Sequence, residues 1–237
     1  MRGMLRANSA IACRGARGFN PLTITGLAAW YDASQSAGVS TQTGGIHLLD
    51  LSGNARHLIT GNSAKRPQLT AAGQNGRDVA TFDGVDDCIG VAWARSQPFS
   101  FFAALKMRAN PAGSSTLIGF GDYGTPPEAI VYDNSAARTG IRLYFGAGVG
   151  AISLSDGAFC SLYGVVNGAS SLIAKNGTET TGNPGGVAAV AITLGDARDE
   201  ASVNSAITVG ELIVVAAACD ATTRAQINTY LRAKWGI

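Results

Sequence analysis

Breaking or making a glycosidic bond needs two carboxylates held on one face, and strand alternation such as Glu-x-Asp-x-Glu would supply them. The chain has four glutamates, Glu128, Glu179, Glu200 and Glu211, and none has another acid two residues away. Asp196, Asp199 and Glu200 cluster, but at spacings of three and one within a loop-like stretch. Hydrolysis by paired acids is therefore not expected. The two histidines are His47 and His57. His57 sits in a turn-forming run and is expected to bond backbone rather than a metal or a nucleophile. No GxSxG elbow, phosphate-binding loop or HExxH pair is present. The glycine run 146–150 lacks a dinucleotide fingerprint and a following helix, and reads as a turn between strands. Cys13, Cys88, Cys160 and Cys219 are far apart with no CxxC pair, and are expected to be buried thiols. The expectation is a protein that is not an enzyme.

The elements that would position any site are short strands. In 99–108, Phe99, Phe101, Ala103, Leu105 and Met107 fall on one face and Ser100, Lys106 and Arg108 on the other. In 140–147, Ile141, Leu143, Phe145 and Ala147 alternate with Arg142 and Tyr144. Further strands are expected over 116–121, 128–133, 187–194 and 207–217. Residues 159–167 are apolar on both faces, which predicts a central strand covered on both sides. Residues 170–175 end in Asn176-Gly177, a hairpin signal because both tolerate positive φ. Strand starts recur every 10 to 15 residues or so, with no amphipathic helices between them, which argues for an antiparallel sandwich or jelly roll. One helix is predicted over about 220–235: Asp220 is its N-cap, Ile227, Tyr230, Leu231 and Trp235 form its stripe, and Gly236 stops it. The stripe is expected to pack on the sandwich edge or on the N-terminal strand.

Composition narrows the classes further. The 237 residues can bury a core, with 46% hydrophobic, 14% charged and 31 glycines. A net charge of +2 gives no reason to expect nucleic acid or an anionic membrane as partner. The longest apolar run, 212–219, has eight residues, and a membrane-spanning helix needs about 20. Residues 1–20 form a basic arm that carries Arg2, Arg6, Arg14 and Arg17, while the first acid of the chain is Asp32. The arm has little to add to a core and is expected to dock onto a neighbouring subunit of a larger assembly. Residues 21–237 are expected to form one all-β domain, an antiparallel β-sandwich that includes the C-terminal helix.

Several stretches in order carry a resemblance. Gly26-Leu27-Ala28-Ala29-Trp30-Tyr31-Asp32-Ala33 opens the domain, and Leu49-Asp50-Leu51-Ser52-Gly53-Asn54-Ala55-Arg56-His57-Leu58 follows. Arg66-Pro67 and Val79-Ala80-Thr81-Phe82-Asp83-Gly84-Val85-Asp86-Asp87 come next, and the chain closes on Arg224 to Trp235-Gly236. Together they resemble the concanavalin A-like lectin/glucanase superfamily, in its laminin-G-like jelly-roll branch of the kind found in bacteriophage structural proteins. Read physically, Trp30 is an apolar plug, the Asp-x-Ser-Gly-Asn run is a turn, and Phe82 points inward. The resemblance implies a surface-displayed lectin-like module of a virion, a capsid decoration, fibre or adhesin, with other virion proteins and further copies of itself as partners. Host-surface glycan is the implied ligand. A secreted bacterial carbohydrate-binding module is the alternative, and a polysaccharide hydrolase a remoter one. No cofactor is expected. Domains of this branch often hold calcium in rim loops, which makes Asp122, Asp133 and Asp156 candidate ligands. Asp122, Tyr123 and Asp133 are the candidate glycan or calcium rim. Trp93 and Tyr144 are further candidate sugar platforms.

Overall fold

The computed structural model describes residues 18–108, 115–121, 130–133, 140–152, 157–196 and 204–237. The strands are β1 (Leu27–Asp32), β2 (Val39–Gln42), β3 (Gly45–Leu48), β4 (Gln68–Gln74), β5 (Arg77–Thr81), β6 (Ile89–Arg95), β7 (Phe99–Met107) and β8 (Ser115–Gly119). They continue with β9 (Ile130–Asp133), β10 (Ile141–Tyr144), β11 (Gly148–Ile152), β12 (Cys160–Val166), β13 (Ser171–Lys175), β14 (Thr178–Gly182), β15 (Ala189–Leu194) and β16 (Ile207–Val215). Helix α1 (Ala221–Trp235) closes the chain. The larger sheet runs β14-β13-β12-β7-β16-β5-β4. Its β16 is shared: β5 pairs with the first half, at Thr208 and Val209, and β1 pairs with the second, from Glu211 to Val215. The smaller sheet runs β11-β10-β9-β8-β15-β6, and β2 and β3 form a separate hairpin. Pairing is antiparallel throughout the described ladders, so the molecule is the expected β-sandwich.

Strand β7 shows how the sequence builds two cores at once. Phe99, Phe101, Ala103, Leu105 and Met107 face the gap between the sheets, where they meet Phe120, Phe145 and Ile192. Phe102 and Ala104 face outward, into a second apolar layer with Tyr163, Ile213, Ile227, Leu231 and Trp235. The neighbouring strands β12 and β16 are buried along their whole length, as a strand covered on both faces must be. Each large side chain so buried contributes about 1.5–3 kcal/mol.

The second layer exists because α1 lies on the outer face of the larger sheet, over β7 and β12. The stripe, expected on the sandwich edge or on the N-terminal strand, lies over β7 and β12 in the middle of the sheet, and it shares its apolar layer with Trp30 of β1. A gap in the sheet surface makes room for it. A Cβ at Gly210 would stand 2.7 Å from the Trp235 ring. The caps are those read from the sequence: Asp220 Oδ1 accepts from Thr223 N at 2.7 Å, and Gly236 adopts φ +66°. The β4–β5 hairpin then caps the helix end. Gln74 Nε2 donates to Trp235 O, and Asn75 Nδ2 and Arg77 Nε donate to Lys234 O, with the arginine's charge favourably placed at the negative end of the helix.

The Asn176-Gly177 turn joins β13 to β14 with φ of +52° and +93°, as expected. Asn75-Gly76 does the same between β4 and β5, at +49° and +69°. The same Asn-Gly pair marks this turn in the sequence.

Candidate functional site

The most chemically suggestive cluster lies under the last turn of α1. Asp32 and Glu211 stand opposite each other where β1 pairs with β16, and both are buried. Lys234 reaches down between them and bonds Asp32 Oδ2 and, at 2.7 Å, Glu211 Oε2. The remaining lone pairs are also used. Asp32 Oδ1 accepts from Ser34 N and Oγ, and its Oδ2 also from Gln35 Nε2. Glu211 accepts from Trp30 Nε1 at 2.7 Å, Tyr230 OH at 2.8 Å and Trp235 Nε1 at 3.0 Å. Burial pushes Glu211 above the usual carboxylate range, and Lys234 pulls it back down. Burial and the same carboxylates push the Tyr230 hydroxyl upward. A buried ion cluster with every oxygen engaged ties helix to sheet. Trp30 is therefore more than the plug read from the sequence: its ring fills the second core and its N–H holds a charge. The signal that could have found the cluster is Glu211 itself, a lone acid inside an otherwise apolar strand.

Two of the surface clefts carry groups that could hold a ligand. The larger, about 1220 Å³, runs beside α1. Phe19 and Tyr230 form its apolar floor, with ring centroids 5.2 Å apart and planes tilted by 45°. Thr222, Gln226 and Thr229 supply polar groups along its helical wall. The helix presents them because its buried stripe leaves 222, 226 and 229 on the opposite, exposed side.

The smaller cleft, about 450 Å³, lies at the other end of β1, bordered by Asn54, Arg56, Trp93 and Arg95. The turn that presents Arg56 is built by Asp50, whose carboxylate accepts from the backbone N–H of Trp30, Ser52 and Arg56. Gly53 turns the chain at φ +86°, and His57 Nδ1 accepts from Asp50 N at 3.0 Å. Arg56 Nη1 donates to Ala28 O, and Arg95 Nη2 to Ala216 O, each at 2.6 Å.

The residues expected at the rim are only partly placed. Asp122, Tyr123 and Asp156 lie outside the described residues, as do Arg2, Arg6, Arg14 and Arg17 of the arm. Asp133 ends β9, opposite Ser115 and Ile141. Trp93 packs edge-on against Phe99 at 5.3 Å in the sandwich core, with one border on the smaller cleft. Tyr144 is half-buried and meets Tyr132 at 6.1 Å. His47 Nε2 sits 3.1 Å from Thr60 O, so both histidines serve the backbone as expected for His57. Cys88, Cys160 and Cys219 are buried free thiols, and burial pushes Cys160 up to about 12. The structure does gather carboxylates elsewhere: Asp83, Asp86 and Asp87 lie within 4.8 Å of one another. Their arrangement is that of a turn. Asp83 Oδ1 accepts from Val85 N at 2.7 Å, and Asp87 Oδ2 accepts from Asp83 N at 2.8 Å.

No family model matches the sequence, and a search of curated proteins finds no relative. Solved structures share the fold. Domain 4 of AbnA, a GH43 extracellular arabinanase from Geobacillus stearothermophilus, in complex with arabinotriose, has a TM-score of 0.58 at 17% identity, over 86% of this chain and 98% of that one. Trypanosoma rangeli sialidase has a TM-score of 0.59 at 15% identity over 90% of this chain, which spans about a third of the sialidase, 34%. The binding domain of Paraclostridial Mosquitocidal Protein 1 has a TM-score of 0.57 at 12% identity, over 88% of this chain and 52% of that one. At these identities the likeness is one of β-sandwich architecture.

Proposed function

We propose that this chain is a non-catalytic carbohydrate-binding domain whose glycan lies in the open groove beside α1. The observation that carries the reading is the tilted Phe19–Tyr230 floor next to the hydroxyl and amide groups of Thr222, Gln226 and Thr229. Apolar ring faces can cover the C–H faces of a sugar while a few polar side chains fix its hydroxyls. The arabinanase domain supports the reading from outside, since a sandwich matched along nearly its whole length is described in complex with an oligosaccharide. The absence of catalysis is supported by the state of the buried acids: Asp32 and Glu211 spend their oxygens on Lys234, two indoles, a phenol and neighbouring side chains. A general acid or nucleophile needs at least one oxygen free to meet the scissile bond.

Display on a phage particle, with residues 1–20 as the anchor and further virion proteins as partners, is part of the proposal. It is supported by the sequence resemblance and by the arginines of the arm alone, and co-sedimentation with particles tests it. The groove is tested by affinity electrophoresis of the full chain in gels cast with soluble polysaccharides, arabinan among them. At least one glycan should retard the protein, and Phe19→Ala or Gln226→Ala should weaken retardation about ten-fold. A protein retarded by none, or variants retarded like the wild type, would overturn the groove assignment.

A further inference from the structure

We propose a second ligand site, independent of the groove beside α1: the cleft between Arg56 and Arg95 binds a carboxylate group of an acidic ligand. Two guanidinium groups border one cleft of about 450 Å³, and none of its lining residues is acidic. Neither arginine has an ion-pair partner among the described residues. Arg224 and Lys234 show the alternative, since both are paired with carboxylates. Asp50 is close to Arg56 in sequence, but its oxygens are engaged by three backbone N–H groups and it does not line the cleft.

The two side chains are also held in place. Each gives one N–H to a main-chain carbonyl, Ala28 O or Ala216 O. Those carbonyls belong to adjoining strands, since Ala216 N bonds Gly26 O and Ala28 lies two residues further on, about 7 Å of strand. Among the described residues, the remaining guanidinium N–H groups of Arg56 and Arg95 have no protein acceptor. Arg95 Nε is buried with no hydrogen-bond partner among the described residues. Unpartnered donors and uncompensated positive charge at one place are costly in a protein that binds nothing there. A carboxylate answers both, because its two oxygens accept from planar guanidinium forks. A long polyanion fits less well, since no lysine and no third arginine lines the cleft to continue a basic track.

Isothermal titration calorimetry of the full chain tests this with trigalacturonate, its fully methyl-esterified form, galacturonate and acetate as probes. The acid trimer should bind at least ten-fold more tightly than the ester. Arg95→Gln should remove that preference. Ala94→Glu should remove it too, by placing a carboxylate at the exposed rim of the cleft without deleting any bond. The second variant decides the matter should the first fail to fold. The preference for acid over ester should survive in Phe19→Ala, whatever that change does to glycan held in the helix groove, which separates the two sites. Trimer and monomer binding alike would identify a free organic acid as the source of the carboxylate, and a tighter trimer an acidic chain; either upholds the site. Equal affinity for acid and ester, unchanged binding in Ala94→Glu, or no heat from any acid at millimolar concentration would overturn it.

Discussion

The two ends of strand β1 hold charge in opposite ways. At the Asp32 end, two carboxylates and one ammonium are buried together, and every oxygen has a donor. At the Leu27–Ala28 end, two guanidiniums stand in an open cleft with only backbone carbonyls to receive them. The first arrangement closes on itself and fastens α1 to the sheet. The second leaves donors over. A buried charge that is fully answered by its own chain is structure; a half-answered one at a surface is available to a partner.

The largest test of this contrast is Lys234→Met. It leaves Asp32 and Glu211 facing each other without their cation and should cost about 3–5 kcal/mol in urea unfolding at pH 7. The deficit should shrink in acid, as Glu211, whose carboxyl burial pushes above the usual range, takes up a proton. A cost under about 1 kcal/mol would mean that the cluster does not hold the helix.

Asp87 sharpens the comparison as a buried acid with no ion pair among the described residues. Burial pushes its carboxyl up to about 6, against a weaker pull from the Asp83 N–H. With the folded value raised, the folded state binds the extra proton, so this stabilisation is complete below about pH 4 and is lost as pH rises through about 6. Stability of the wild type should therefore fall across that window by at most about 3 kcal/mol, less what solvent screening removes, relative to Asp87→Asn, followed by thermal or urea melts at each pH.

At the open end, Arg95→Gln should cost only about 1 kcal/mol, the worth of the bond to Ala216 O, while abolishing recognition of the acid probe. Stability loss as large as that of Lys234→Met would make Arg95 a structural residue. The smallest effect is expected from Glu179→Gln. Its pair with Arg224 at 2.8 Å is partly exposed, and denaturation should shift by at most about 0.5 kcal/mol.

How far these regions were legible differs for physical reasons. The sandwich was readable because β7 and β10 alternate in period two, and because residues 159–167 are apolar on both faces. The helix was readable from Asp220, its four-residue stripe and Gly236. Where the helix would lie was not, since the stripe says that a face is buried and nothing about which surface buries it. Gly210 was the missing clue, and it carries meaning only once Trp235 is seen above it. The Asp32–Glu211–Lys234 cluster and the Arg56–Arg95 cleft each join residues from distant parts of the chain. Only register and folding bring them together, so neither could be read from spacing. Of the rim residues expected from the sequence, Asp122 and Tyr123 lie outside the described residues, and Asp133 is placed at the end of β9.

The central claim is that this sandwich holds glycan and does not cut it. The direct measurement incubates the protein with a panel of polysaccharides and follows retention and release of reducing ends in the same samples. Retention of at least one polymer with no reducing ends above the protein-free control is the predicted result. Reducing ends that accumulate with time, and that vanish in Glu211→Gln, would contradict it.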